Sequence, residues 1–252
     1  MANRKLELKD IVVFMERVNS FETDNASVGY HTSFKNFWLN KIENESVGGG
    51  SILSDENIAD TSQRVYAILN NWNYYGMLVE HDVDNIDVIG KILLACRKSY
   101  ATIKDTDLLS VDFAATDVRT ALKNIWNEFV NLKDGTNIMK VGMPLMLIWG
   151  QTPAFTAPVR NALLNGMNDA NFDEYVGFLV ALQEILNQND ILVDRIRSNY
   201  LSRFWAKDGE FGLIQRITTQ EGFSNWEQAH PNRHIPYGRY FDMDAWIRGM
   251  AM

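Results

Sequence analysis

Apolar positions recur at intervals of three and four along most of the chain, and this period predicts helices. Leu8, Ile11, Val12, Met15 and Val18 form one stripe within residues 5–19. Residues 20–33 are polar and contain glycine, so they read as a loop. Phe34, Phe37, Trp38 and Ile42 mark a short helix, which the glycine-rich segment ESVGGGS over 45–51 ends. Ser54 is suited to cap a helix carrying Ile58, Val65, Ile68, Leu69 and Trp72. Asp84 or Asn85 caps the next, with Ile86, Ile89, Leu93 and Cys96 inward; Ser110 opens another, with Val118, Leu122, Ile125, Trp126 and Phe129 inward. Further on, Phe172, Tyr175, Val176, Leu179, Leu182 and Leu186 make an amphipathic helix. Asn189 or Asp190 breaks it before a second helix with Leu192, Ile196, Tyr200 and Phe204. Residues 207–236 are mixed in pattern, and Tyr240 to Met250 reads as a last helix. No segment alternates like a strand and none repeats. The expectation is an all-α, compact helical protein of roughly ten helices. No linker divides it, so residues 1–252 read as a single helical domain.

The stretch from Leu132 to Gly166 stands apart. It holds three of the five prolines, at 144, 153 and 158, and a nearly continuous apolar run from Val141 to Trp149. Such a run predicts a helix buried on all sides. Gly150 breaks it, Pro158 suits the first turn of a new helix, and Gly166 supplies its stop. The order of residues here resembles the core of the helix-hairpin-helix DNA glycosylase superfamily. That core is a glycine-containing hairpin, a lysine opening an apolar helix, and a Pro-Ala-hydrophobic-Asp turn followed by another helix. Leu132 and Gly135 stand in the hairpin, Lys140 opens the helix, Gly150, Pro153, Ala154 and Phe155 form the turn, and Val159 and Arg160 follow. The position of the turn's aspartate, a catalytic residue in that family, holds Thr156 here. The resemblance implies two helical lobes around a cleft, divided here into 1–131 and 132–252. It also implies DNA as the partner and cleavage of the N-glycosidic bond of a damaged or modified base. Defence against modified phage DNA would be one setting for that activity; no residue speaks to it.

Charge bears on that implication. The chain has 24 Lys and Arg against 32 Asp and Glu, a net charge of -8. A protein that coats nucleic acid without preference would be basic, so that class is excluded. The acidity is uneven. Residues 1–132 carry 13 basic and 19 acidic residues, whereas from Arg195 onward there are 8 basic and 6 acidic. A polyanion would meet the C-terminal half. The one cysteine, Cys96, excludes an internal disulfide and a cysteine zinc cluster. In its apolar setting it reads as a packing residue, with a nucleophile as the alternative. The N-terminus has no apolar signal core and no run approaches the ~20 residues of a membrane span. The expectation is a cytoplasmic protein with no membrane partner.

Base excision needs a pocket for the extruded base, a carboxylate or amine beside the departing sugar, and groups that hold phosphate. Lys140 is the candidate amine: in the resembled family a lysine here attacks the sugar, and burial among apolar residues would favour its neutral form. A lysine extending its stem to the surface is the alternative. Thr156 is a candidate only by position, since a hydroxyl carries no charge; the alternative is an N-cap for the helix near Pro158. Any catalytic carboxylate must come from elsewhere, and Asp242, with Asp244 beside it in RYFDMDAWIR, is the preferred source. Asp169 and Asp173 read as capping residues. Gly135 and Arg160, with Arg233, Tyr237 and Arg239, are candidates for contact with nucleic acid, because arginines among aromatics suit such a surface. An ordinary polar loop is the alternative for the last three. Trp149 and Gln151 are candidates for the base pocket. His230 and His234 are four apart, but Pro231 and Pro236 oppose the helix that would bring them together, so no metal and no cofactor is expected. The competing reading is a non-catalytic helical protein, binding nucleic acid or protein, that has lost the aspartate.

Overall fold

The computed structural model describes residues 8–23, 34, 36–38, 40–42, 44–45, 50–72, 86–132, 136–164, 169–201 and 235–250. Among these the protein is all-α, and no strand occurs. Nine helices have described bounds: α1 (Leu8–Thr23), α2 (Ile58–Trp72), α3 (Ile86–Ile103), α4 (Thr116–Val130), α5 (Asn137–Ile148), α6 (Ala157–Leu164), α7 (Phe172–Asn187), α8 (Asp190–Tyr200) and α9 (Tyr237–Met250). The described residues between 34 and 45 are helical as well. None of these helices is long and apolar enough to cross a membrane.

Helix α5 is the axis of the fold. The apolar run from Val141 to Trp149 is buried throughout, as its pattern predicts, and burial extends back to Ile138. It lies against α4 on one side and α2 on another. Pro144 sits inside it; the ring has no N–H, so the carbonyl four residues back loses its helical donor. Gly150, at φ 78°, then turns the chain sharply in a conformation that residues with a Cβ avoid. Helix α9 packs along α6 and against α1, and α3 packs between α2 and α4. Helix α8 meets α1 and α7.

A buried polar joint fixes the C-terminal end of α5. The Tyr100 hydroxyl of α3 shares its proton between Glu45 Oε1, at 2.8 Å, and the Ile148 carbonyl, at 3.0 Å. Lys41 Nζ donates to Glu45 Oε2 at 2.6 Å and lies 4.9 Å from the Trp38 ring centroid. Burial, reinforced by Glu45, pushes the Tyr100 phenol well above its ordinary pKa. It therefore acts as a fixed donor in the core.

The helix starts differ from the sequence expectation where a hydroxyl is expected to cap. Ser54 and Ser110 do not open helices. The Ser54 hydroxyl is buried without a partner, and a tight turn runs from Ser51 to Asn57 before α2 begins. Ser110 donates to Asp107 Oδ1 at 2.8 Å within another turn, six residues ahead of α4. A side-chain cap does form at Asn171. Its side chain accepts from the Glu174 backbone N–H while Glu174 accepts from the Asn171 N–H, a reciprocal capping box. Helix α1 runs on to Thr23, past the expected loop start at residue 20, because Phe21 is buried in the core. Asp84, Asn85, Gly166 and Phe204 lie outside the described residues.

Candidate functional site

The turn between α5 and α6 gathers most of the residues singled out by sequence. Residues 150 to 156 are buried without exception, which is unusual for a connecting segment because its backbone polar groups must then find partners inside the protein. Helix α9 provides two of them. The Gly238 N–H donates to the Gly150 carbonyl at 3.0 Å. The Ala154 N–H donates to Asp242 Oδ1 at 2.9 Å. This approach is close enough that a Cβ on Gly238 would lie 2.2 Å from the Thr152 nitrogen.

Asp242 is 1% exposed. Its second oxygen accepts from Arg239 Nη1 at 2.5 Å, one helical turn earlier on α9. Burial raises the pKa of Asp242 above the ordinary carboxylate value, and Arg239 and the Ala154 N–H only partly oppose this. Arg239 is equally buried, with its guanidinium 4.9 Å from the Phe21 ring and 5.0 Å from the Phe34 ring. The aromatic neighbours of Arg239 thus cover it from within. Asp244 serves a different joint: it accepts from Arg17 Nε of α1 at 2.6 Å and from Arg248 Nε at 2.8 Å. As expected for residues two apart on a helix, the two carboxylates face different partners.

Phe155 is the one described non-glycine residue with a positive φ, at 54°. Such backbone is uncommon for a bulky side chain and costs energy that the surroundings must supply. Its ring makes edge contacts with Tyr175 and Phe178 of α7, at centroid distances of 6.0 and 5.0 Å. Its carbonyl accepts from Arg160 Nη1 at 2.9 Å. The same nitrogen reaches Thr136 Oγ1 at 3.3 Å, so Arg160 ties the start of α5 to the turn. Burial pulls the Arg160 pKa below its ordinary value, with Asp169 opposing. Asp169 Oδ1 accepts from the Ile138 N–H at 3.3 Å and from the Ala170 N–H at 2.8 Å. An exposed carboxylate of the chain's own therefore stands at the N-terminus of α5, where the helix dipole favours negative charge.

Thr156 occupies the residue before α6, and its carbonyl accepts from the Arg160 N–H at 2.8 Å. Its hydroxyl is buried and has no partner, so it caps nothing with its side chain. Lys140 is 8% exposed, and its ammonium donates to the Val130 carbonyl at 3.3 Å. Trp149 and Gln151 are buried, with exposures of 2% and 1%. Trp149 Nε1 donates to the Thr106 carbonyl at 3.2 Å. Gln151 accepts from the Leu108 N–H and donates to the Ile235 carbonyl, both at 3.0 Å, and so stitches three segments together. Both polar groups are used on backbone. Tyr237 is fully buried with its hydroxyl unpartnered, and burial raises its pKa. Gly135, Arg233, His230 and His234 lie outside the described residues.

Of the residues expected to meet around a substrate, the turn brings together Ala154, Phe155, Thr156, Arg160, Arg239 and Asp242, while Lys140 is held at Val130. Among the described residues no three His, Cys, Asp or Glu side chains gather as a metal-binding group. A shallow depression of about 480 Å³ lies elsewhere, at the start of α7, lined by Lys123, Asn171, Phe172, Asp173 and Glu174. The capping box, the service of Asp169 to the start of α5 rather than to the helix beside it, and the strained Phe155 are not readable as such from the sequence. Asn-x-x-Glu at 171–174 carried the signal for the first; the other two depend on tertiary packing. The chain matches no protein-family model, no curated protein and no solved structure.

Proposed function

We propose that this chain is a non-catalytic helical binding protein whose partner is a polypeptide, built on a frame similar to that of the helix-hairpin-helix DNA glycosylases. The observation that carries this reading is the state of Asp242. One oxygen holds the Ala154 N–H and the other holds Arg239, and the residue is 1% exposed. A carboxylate that steadies a cationic sugar needs a free oxygen at the substrate. Among the described residues, the two arginines expected to meet nucleic acid are also engaged internally: Arg239 under Phe21 and Phe34, and Arg160 on Phe155 and Thr136. With a net charge of -8, these favour a polypeptide over a DNA backbone.

The test is incubation with duplex and single-stranded DNA containing abasic sites, damaged bases and bulky modified cytosines. The expected result is no released base, no borohydride-trapped adduct, and no binding at low salt. A base released by the parent protein and lost in a folded Asp242→Asn variant would overturn the proposal.

One observation favours a second reading, a glycosylase that hydrolyses the N-glycosidic bond of a modified base. The Asp242 carboxylate is one hydrogen bond from Ala154, in the turn whose family aspartate is replaced by Thr156. Helix α9 would then supply from a distance the charge that the turn lacks. A strained residue beside a carboxyl with a raised pKa is also the combination found at functional sites. This reading expects activity that Asp242→Asn abolishes and Lys140→Ala leaves intact. A trapped adduct lost in Lys140→Ala would instead assign the chemistry to the amine.

A further inference from the structure

The turn from Gly150 to Thr156 is held on both sides of its strained residue. The Ala154 N–H is fixed by Asp242 of α9, and the carbonyl of Phe155 itself by Arg160 of α6. The two holds come from different helices and bracket Phe155, whose φ is 54°. A left-handed backbone costs an ordinary residue about tenfold in population. The Thr156 hydroxyl, buried and unpartnered, is a second sign that the turn is not at its local optimum. Beyond the turn, the Phe155 ring touches Tyr175, and Tyr175 lies 5.2 Å from Trp126 of α4.

The geometry points to this turn as a cocked conformational switch: loss of either hold lets Phe155 fall to negative φ and withdraws its ring from Tyr175 and Phe178. A partner that claims Arg160, the half-buried one of the two holds, is then read out in the aromatic cluster of α4 and α7. The device does not depend on whether the chain binds or cleaves.

The test is amide hydrogen exchange on the full chain, resolved at Ala154. Asp242→Asn has one acceptor oxygen where the site demands two, so it can satisfy Ala154 or Arg239 but not both. Arg160→Gln, at a half-buried position, releases the Phe155 carbonyl and serves if the first variant does not fold. Each variant is expected to raise Ala154 exchange about tenfold while the amides of Leu145 to Trp149 keep parental protection. Near-ultraviolet circular dichroism from the Trp126 cluster should change in parallel. In a Phe155→Gly background Arg160→Gln, which does not touch the Ala154 acceptor, should have little effect, because glycine bears no strain at this φ. An equal rise across α5, no rise at Ala154, or the same rise from Arg160→Gln in the Phe155→Gly background would each overturn the switch.

Discussion

Alanine at Gly238 and alanine at Gly177 should move stability in opposite directions, although both glycines lie in helices. At Gly238 the added Cβ would sit 2.2 Å from the Thr152 nitrogen and 2.5 Å from the Gln151 carbonyl carbon. Comfortable contact for such atoms is about 3.5–4.0 Å, so either α9 or the turn must retreat by more than about 1 Å. The obstacle is backbone, which cannot swing aside as a side chain would. Retreat stretches the Gly238 to Gly150 hydrogen bond beyond use and pulls on the Asp242 contact with Ala154. Overpacking costs about 1–3 kcal/mol, and a buried backbone group left unpaired about 1–3 kcal/mol more. The better helix propensity of alanine returns at most about 1 kcal/mol. The net expectation for Gly238→Ala is a loss of about 2–4 kcal/mol. At Gly177, inside α7, nothing lies within 4 Å of the added atom, so Gly177→Ala should gain about 0.5–1 kcal/mol. Urea denaturation of the three proteins, with slopes compared, measures both changes. A Gly238→Ala protein within about 0.5 kcal/mol of the parent, or a destabilised Gly177→Ala protein, would refute the close seating of α9 on the turn.

Three further outcomes are expected. Met146 is fully buried at the centre of α5, so Met146→Asp should strand a charge and yield unfolded or insoluble protein, while Met146→Leu should cost less than about 1.5 kcal/mol; a folded Asp variant with the parental Tm would contradict this. The Asp242 pKa is raised in the folded protein, so its contribution is fully present below the unfolded carboxylate value and is lost as pH rises through the folded one. The Tm of the parent relative to Asp242→Asn should therefore fall as pH rises across that window; a difference that grows with pH would mean that Arg239 outweighs burial. Burial and then Glu128 push the Cys96 thiol up to about 12, so at pH 8 a thiol reagent should modify it only after denaturant is added, and rapid stoichiometric labelling of native protein would reverse its assignment to the core.

The helices were legible because burial of one face is a local, periodic demand on sequence. The stripe Phe172, Tyr175, Val176, Leu179, Leu182 and Leu186 predicts α7, and five of the six are buried there, Phe172 being half-covered at the helix start. The all-round burial of Val141 to Trp149 follows from the same reasoning. Hydroxyl caps were less legible, since Ser54 and Ser110 have the right chemistry for a cap yet are placed by the turns around them. The site was legible in its members more than in its wiring. Asp242 and Ala154 are 88 residues apart in the chain, and Phe21 and Phe34 reach Arg239 from the opposite end of it. An arginine near aromatics looks the same in sequence whether the rings form a wet stacking surface or a dry lid. The outcome depends on what else is buried with the guanidinium. Here the carboxylate of Asp242 accompanies it inward, and a buried pair of this kind is costly to break from one side, about 3–5 kcal/mol, because the remaining charge has no partner. That asymmetry makes Arg239 and Asp242 a unit whose first task is to seat α9 on the turn. Any chemistry or signalling at Asp242 must therefore act through the same two bonds that hold Ala154 and Arg239 in place.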